Sequence, residues 1–239
     1  MFSSPLYHSS PISLQPPEPT TDSTLPGWGP YLESYLTGTT VVNKAIGGRS
    51  ARSYTNEGRF DEITPLLTAG DIVVIEFGHN DGGSPNGADD NGRSDCPGTG
   101  DEVCTSGKDG SLVYTFNKYV TDAARAYIAK GASVIVSSQT PNNLWEGGVF
   151  SDSAPRFVEY AALAAEDVGE GAFYIDHFEA VARMFEKLGD AAVNSLYPVD
   201  HTHTSPEGAD LIANAFAQAV SEGESPLKEL VRADIELVY

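Results

Sequence analysis

The chain has 239 residues, of which 40% are hydrophobic and 20% charged, and this length suits a single α/β domain. Its 34 acidic residues outnumber its 14 basic residues, and the net charge of −20 disfavours binding to nucleic acid or to an anionic membrane surface. No segment approaches the roughly 20 apolar residues that a membrane-spanning helix requires. We therefore expect a globular protein with neither nucleic acid nor membrane as a partner.

The first segment, residues 1–26, is rich in serine and proline, with three prolines within residues 16–19. It lacks the basic start and apolar run of a secretory signal peptide, since the first Lys or Arg of the chain is Lys44. We expect it to be a disordered arm or the product of an incorrectly assigned or truncated gene start. The rest of the chain, residues 27–239, is predicted to form one domain.

Strands and helices alternate after the arm. The spacing of apolar residues predicts strands at 40–42, 71–77, 132–138 and 172–176, and helices at 31–36, 59–67, 114–130, 156–168, 178–188 and 207–220. Segment 71–77 is nearly continuous in apolar residues, which is typical of a parallel strand covered on both faces. The alternation indicates a three-layer α/β fold, with helices on both faces of a parallel sheet.

Cys96 and Cys104 lie in a long loop, rich in Gly, Asp and Ser, that follows the strand at 71–77. Two cysteines are too few for a structural zinc site. A local disulfide that clamps the loop is the interpretation we favour, and it would place the protein in an oxidising compartment. Two free thiols in a cytosolic protein are the alternative.

Candidate catalytic groups follow the predicted strands, where ligands of such sheets bind. Gly48 lies in a Gly-Gly turn and can present its backbone N–H because it has no Cβ. Asn80 offers an amide donor at the end of the strongest strand. Two such donors are what an oxyanion hole requires. Asp200 and His203 are three positions apart before a helix, so the carboxylate can orient the imidazole as a general base.

Each of these groups also has a simpler interpretation. Gly48 alone is compatible with an ordinary turn, and Asn80 with a turn residue stabilised by its own side chain. Segment 200–203 contains His and Asp, which are common metal ligands. However, only His79 lies near another predicted strand end, and no acidic motif accompanies it. We therefore expect no metal and no cofactor.

Four segments resemble the sequence blocks of the SGNH, or GDSL-like, hydrolases. They are GGRSARS at 47–53, FGHNDGG at 77–83, SSQTPNN at 137–143 and DHTHTSP at 200–206. Within that superfamily the chain is most similar to the fungal rhamnogalacturonan acetylesterases, from about Trp28 to about Val220. The resemblance implies the three-layer α/β/α fold of that superfamily and hydrolysis of O-acetyl esters on pectic rhamnogalacturonan. The cysteine loop also resembles a disulfide of that family, whose second, C-terminal disulfide has no counterpart here.

The resemblance also implies roles for individual residues. His203 is the general base and Asp200 holds its tautomer, while Gly48 and Asn80 supply oxyanion donors. The nucleophile is a serine that follows the first strand in a Gly-Asp-Ser block, and its own N–H is a third oxyanion donor. The candidate here is Ser23.

Ser23 departs from the family pattern in its surroundings. The segment reads Thr-Asp-Ser-Thr at 21–24, so the Gly is replaced, and Ser23 lies almost against the Gly-Trp-Gly at 27–29. The family places an apolar interior strand before the serine, whereas here prolines occupy that place and cannot donate to a central ladder. We therefore expect the first strand to be missing or replaced. A linker serine that follows an Asp by chance is the simpler interpretation of Ser23.

We predict a serine esterase that forms an acyl-enzyme on an acetylated polysaccharide, and we expect it to be monomeric. By the resemblance and the cysteine loop it is extracellular. Arg49, Asn142 and Asn143 are the predicted substrate-binding residues, and Arg49, Arg52 and Arg59 could form a basic patch for an acidic glycan. Two alternatives remain: an inactive carbohydrate-binding relative without a working nucleophile, and an esterase of the same fold acting on xylan or small acyl esters.

Overall fold

A mixed five-stranded sheet lies at the centre of the fold. The structure is a computed structural model and describes residues 6–9, 27–236 and 238–239. Across the sheet the order is Thr40–Asn43 (β2), Leu6–Ser9 (β1), Ile72–Glu76 (β3), Ser133–Ser137 (β6) and Ala172–Ile175 (β7). Two further strands, Val103–Thr105 (β4) and Leu112–Tyr114 (β5), form a separate antiparallel hairpin.

Strand β1 occupies an interior position and runs antiparallel to both neighbours, with Leu6 opposite Asn43 in β2 and Val74 in β3. By contrast, β3, β6 and β7 are mutually parallel. The predicted three-layer α/β fold is confirmed, but the sheet is not wholly parallel. A strand from the predicted arm fills the place of the strand that the sequence indicates is missing or replaced. Four residues between Pro5 and Pro11 are too few for periodicity to reveal a strand.

The helices cover both faces of the sheet. The α-helices are Ala51–Asn56 (α1), Arg59–Ile63 (α2), Phe116–Ile128 (α3), Arg156–Val168 (α4), His177–Leu188 (α5), Asp190–Ser195 (α6) and Pro206–Glu222 (α7). Short 3-10 helices lie at Gly29–Tyr35, Thr64–Leu66, Gly87–Asp89 and Pro226–Leu230. The predicted helix at 59–67 changes from α to 3-10 geometry at Thr64, next to Pro65, which lacks the N–H that an α-helix would use. No helix in the described ranges has the length and apolar character needed to cross a bilayer.

Two apolar cores form because successive side chains of a strand point to opposite faces of the sheet. Ile72 and Val74 pack on one face, in a core with α5, α6 and α7. Val73 and Ile75 pack on the other face, in a core with α1, α2, α3 and α4. Both faces of β3 are therefore covered, as its continuous apolar sequence predicts.

A buried polar network joins the sheet to the helices of the first core. Glu76, which is 2% exposed, accepts hydrogen bonds from Trp28 Nε1 at 2.9 Å and from Ser137 Oγ at 2.7 Å. His177, also buried, places Nδ1 2.8 Å from Glu76 Oε2, the same oxygen that Ser137 bonds, and Nε2 3.1 Å from the Ile212 carbonyl oxygen. One carboxylate thus satisfies three buried donors from different elements, and this network holds the end of β3 in place.

Cys96 and Cys104 form a disulfide, with their Cα atoms 5.4 Å apart, so the predicted clamp is confirmed. The long loop after β3 is more ordered than its composition indicates, because the disulfide ties Cys96 to Cys104 in β4, the first strand of the β4–β5 hairpin. The N–H of Cys96 donates to the Tyr114 carbonyl at 2.9 Å, which fixes the start of this loop to the hairpin.

Candidate active site

The two predicted oxyanion donors lie next to each other. Gly48 follows β2 with φ +76°, a left-handed conformation that favours glycine. The chain then enters α1, whose first turn is fixed by a reciprocal capping box between Ser50 and Ser53. Asn80 follows β3, and its Nδ2 donates to the Arg49 carbonyl at 3.3 Å. The fold therefore brings together Gly48, in the loop between β2 and α1, and Asn80, which follows the carboxyl end of β3.

An arginine that the sequence analysis missed links these two groups. Arg93 Nη1 donates to Asn80 Oδ1 at 3.1 Å and to the Gly48 carbonyl at 3.4 Å. Arg93 lies in the long loop after β3, 13 positions from Asn80 along the chain. No spacing rule relates a loop arginine to a strand end, so this contact is visible only in three dimensions.

Two buried carboxyl groups lie beside the residues that follow β3 and the start of α1. Asp81 is 1% exposed and accepts from the N–H groups of Ala51 at 2.7 Å and Gly78 at 2.9 Å. The Asp95 carboxyl, 5% exposed, lies close enough to that of Asp81 for the two to interact electrostatically. Burial raises the pKa of both carboxyls, and the neighbouring Asp81 charge raises the pKa of Asp95 further. Asp95 is therefore the carboxyl that more readily holds a proton, and Asp81 serves as the acceptor that ties α1 to the end of β3.

Replacing Asp95 by asparagine is expected to flatten the pH dependence of stability. A carboxyl whose folded pKa is raised stabilises the fold fully below its unfolded pKa, and this contribution is lost as pH rises through the folded pKa, by up to about 1.4 kcal/mol per unit. An asparagine amide at this position is neutral and does not titrate. Thermal unfolding between acidic and mildly alkaline pH should show a decline for the wild type that Asp95→Asn lacks. Exposed Asp89→Asn is the control, and parallel declines in all three proteins would contradict the assignment.

The predicted base and its orienting carboxylate are in direct contact. His203 Nδ1 lies 2.7 Å from Asp200 Oδ2, and the N–H groups of Thr202 and His203 both donate to Asp200 Oδ1 at 2.7 Å. Partial burial raises the pKa of the Asp200 carboxyl, but these hydrogen bonds outweigh it and hold that pKa well below its ordinary value. Asp200 is therefore an anion that accepts from Nδ1–H and leaves His203 Nε2 free to accept a proton. Ser205 caps the following helix α7, which fixes where this turn ends.

His79 lies between the oxyanion segment and the end of β6. It precedes Asn80, and its Nδ1 lies 3.5 Å from Gln139 Nε2 after β6. Burial lowers the pKa of the His79 imidazole to about 4, so this ring is neutral at ordinary pH. Gly78, after β3, and Gln139, after β6, approach each other closely, because a Cβ on Gly78 would lie 2.1 Å from Gln139 Oε1. The residues that follow β3 and β6 therefore pack closely against each other.

The predicted substrate-binding asparagines mainly join loops to one another. Asn142 Oδ1 accepts from Thr202 Oγ1 at 3.0 Å. Asn143 donates its backbone N–H to the His201 carbonyl at 2.8 Å and its side-chain amide to Asn194 Oδ1 at 2.6 Å. Both residues therefore hold the loop after β6 against the turn that carries the base. Asn142 is exposed beside the base, whereas the Asn143 side chain is engaged.

The predicted basic patch of Arg49, Arg52 and Arg59 is wrong for Arg52, which is not at the surface. Arg52 is 1% exposed, pairs with buried Asp90 through both terminal nitrogens at 2.9 and 3.0 Å, and so faces the interior. This pairing lowers the pKa of the Asp90 carboxyl. Arg49 and Arg59 are at the surface, and both bond to Glu57. Arg93, which contacts Gly48 and Asn80, is a surface arginine next to the candidate oxyanion donors.

Ser23, the candidate nucleophile and third oxyanion donor, lies outside the described residues. Among the residues that are described, no three His, Cys, Asp or Glu side chains come together as a metal-binding group. The described part of the candidate site therefore consists of the Asp200–His203 pair, the Gly48 and Asn80 donors, and Arg93.

Comparisons with known proteins identify relatives of this chain. The sequence matches the GDSL-like lipase/acylhydrolase family over residues 12–211. A rhamnogalacturonan acetylesterase of Emericella nidulans is 54% identical over 203 residues, covering 84% of this chain and 81% of that protein. A Bacillus subtilis protein named probable rhamnogalacturonan acetylesterase YesY is 27% identical over 212 residues, covering 86% of this chain and 88% of that protein. The crystal structure of Bacillus subtilis YxiM has a TM-score of 0.63 at 23% identity, and 84% of this chain matches 51% of that chain, so the likeness concerns the fold and about half its length.

Proposed function

Because the chain belongs to the GDSL-like lipase/acylhydrolase family, we propose that it is a serine esterase that removes O-acetyl groups from pectic rhamnogalacturonan. The observation that carries this proposal is the Asp200–His203 pair, together with two candidate oxyanion donors, in a chain 54% identical to a rhamnogalacturonan acetylesterase. Identity of this extent over most of both chains supports the same ester and the same class of glycan. Acetate and a deacetylated polysaccharide are the products.

Ser23 is proposed as the nucleophile. It lies within the residues matched by the family, and its Asp-Ser-Thr context resembles the family's nucleophile block. His203 Nε2 accepts the hydroxyl proton while Oγ attacks the acetyl carbonyl carbon. Asp200 accepts from Nδ1–H throughout, so the imidazolium that forms is stabilised and stays oriented.

The negative charge then develops on the former carbonyl oxygen. The N–H groups of Gly48 and Ser23 and the amide of Asn80 are the proposed donors to this oxygen. Collapse of the tetrahedral intermediate breaks the C–O bond to the sugar, whose oxygen takes the proton from His203. A water molecule, deprotonated by His203, attacks the acyl-enzyme, and acetate leaves with Ser23 restored.

The disulfide supports a location outside the cell. A clamp between Cys96 and Cys104 persists in oxidising compartments, which suits an enzyme that acts on plant cell-wall polymer. The overall charge of −20 does not prevent contact with a galacturonate-bearing chain, because distant charges are screened beyond about 10 Å. Mildly acidic medium also neutralises part of the carboxylates on both partners.

Acetate release from three substrates tests the proposal. The wild type is expected to act on acetylated rhamnogalacturonan at least about 10-fold faster than on acetylated xylan, because recognition of the neighbouring sugars adds to transition-state binding. 4-Nitrophenyl acetate reports the ester chemistry without sugar contacts. Release from none of the three would identify an inactive relative, and faster release from xylan would identify a different polysaccharide esterase. Either result overturns the proposal.

A further inference from the structure

We propose that Arg93 is a positioning residue of the oxyanion hole, which holds the Asn80 amide with its N–H side turned toward the substrate. This inference rests on the proposed function and adds a residue to it. The carbonyl end of the Asn80 amide faces a donor, Arg93 Nη1 at 3.1 Å, and its amino end faces an acceptor, the Arg49 carbonyl at 3.3 Å. Both neighbours select the same orientation of the amide, so the assignment of its oxygen and nitrogen follows from its partners.

Among the contacts of the described residues, the Asn80 amide then keeps one hydrogen without an acceptor. Nδ2 carries two hydrogens, and Arg49 accepts one of them. A flipped amide would place its oxygen against the Arg49 carbonyl oxygen and its hydrogens against those of the Arg93 guanidinium. Both of these contacts are repulsive. Arg93 therefore prevents the rotation that would remove a donor from the site and put an acceptor in its place.

The contacts of Arg93 differ from those of most other surface arginines. Ion pairs within the described residues join Arg49, Arg59, Arg125, Arg183 and Arg232 to carboxylates, whereas none of them includes Arg93 or Arg156. In a chain with 34 acidic residues, this guanidinium instead bonds to an amide and a peptide carbonyl. Its contacts join the two segments that carry the oxyanion donors.

The backbone around Arg93 is held by buried groups, so the guanidinium is positioned before substrate binds. Ser94, 1% exposed, donates from Oγ to the Gly82 carbonyl at 2.9 Å and accepts from buried Arg52 at its own carbonyl at 2.8 Å. The next residue, Asp95, donates its N–H to the Asp81 carbonyl at 3.1 Å. The side chain of Arg93 is itself half-exposed, so its replacement leaves these buried contacts intact.

A double-mutant cycle with 4-nitrophenyl acetate tests the inference. Arg93→Met keeps the apolar stem without any N–H, and we expect kcat to fall about 10- to 100-fold with little change in KM. In an Asn80→Ala background the same substitution should change kcat by no more than about 2-fold, because the amide it orients is gone. Arg125→Ala, which removes an exposed arginine paired with Asp167 at the amino-terminal edge of the sheet, is the control.

The outcomes separate this role from others. Equal losses in both backgrounds would show that Arg93 acts directly on the reacting ester, and a loss on the polysaccharide alone would show that it binds a sugar carboxylate. Each result overturns the inference, as does unchanged kcat. If the proposed esterase function is wrong, the wild-type protein itself will not hydrolyse the esters, and this result is distinct from the three results for the Arg93 variants.

A measurement independent of activity covers that case. The side-chain amide signals of Asn80 in a ¹⁵N–¹H correlation spectrum can be assigned by their absence in Asn80→Ala. Arg93→Met should shift or broaden this pair, whereas Arg125→Ala should leave it in place. An unmoved Asn80 pair in folded Arg93→Met would overturn the positioning role whether or not the protein hydrolyses esters.

Discussion

Replacing His203 by alanine is expected to lower kcat for acetate release by about 10⁴-fold or more, with KM nearly unchanged. The ring is the group that takes the proton from the nucleophile and returns it to the leaving sugar oxygen, and its 2.7 Å contact with Asp200 sets it in one tautomer. Both roles belong to the transition state, so the loss falls on kcat. Steady-state kinetics on acetylated rhamnogalacturonan and on 4-nitrophenyl acetate should give the same factor.

Two companion variants sharpen this result. Asp200→Asn replaces the acceptor at Nδ1 by an amide and should cost about 10³- to 10⁴-fold, since the ring can then adopt the wrong tautomer. His201→Ala removes a neighbouring imidazole that contacts exposed Glu146 at 3.1 Å, and it should change kcat by less than about 3-fold. If His203→Ala kept more than a tenth of wild-type kcat, or if His201→Ala were the more damaging change, His203 would not be the base.

Replacing Glu76 by alanine is expected to lower the free energy of unfolding by about 3–5 kcal/mol, the usual cost of removing one partner of a buried charged network. The substitution leaves Trp28, Ser137 and His177 without their shared acceptor in a dry core. For a domain of this size the melting temperature should drop by roughly 10 °C. Urea unfolding followed by tryptophan fluorescence measures the change, because the Trp28 ring is itself in the network.

Two variants serve as controls for the core network. Glu186→Ala removes an exposed glutamate of α5 and should stay within about 0.5 kcal/mol of wild type. Glu76→Gln retains one acceptor oxygen and should lose less than the alanine variant. If the free energy of unfolding of Glu76→Ala were within about 1 kcal/mol of the wild-type value, the buried carboxylate would contribute little net stability, which would contradict this prediction.

The layers of the fold and the Asp200–His203 pair of the candidate site could be predicted from local sequence pattern. Helix α4 has the predicted bounds of 156–168, and β6 lies within its predicted segment, because their apolar spacing reflects which faces are buried. The Asp200–His203 contact follows from a spacing of three before a helix, which allows both side chains to point the same way. Local pattern suffices wherever a residue's partner lies within a turn of it.

Contacts between distant segments could not be predicted in this way. Arg52 lies beside a glycine-rich turn and suggests a surface charge, yet it is buried because Asp90, 38 positions later, neutralises it. Arg93 depends on the path of a loop without periodicity. Strand β1 pairs with two strands from distant parts of the chain, and its four residues carry no pattern of their own. In each case tertiary pairing decides the structure, and the sequence alone does not display it.

Covalent labelling with a fluorophosphonate, followed by mass spectrometry of the labelled peptide, tests the central claim most directly. The reagent forms a stable adduct only with a serine that a neighbouring base activates. The account predicts one adduct, on Ser23, that is lost in His203→Ala and retained in His201→Ala. An adduct on a different serine, or no adduct on an otherwise folded wild-type protein, would contradict it.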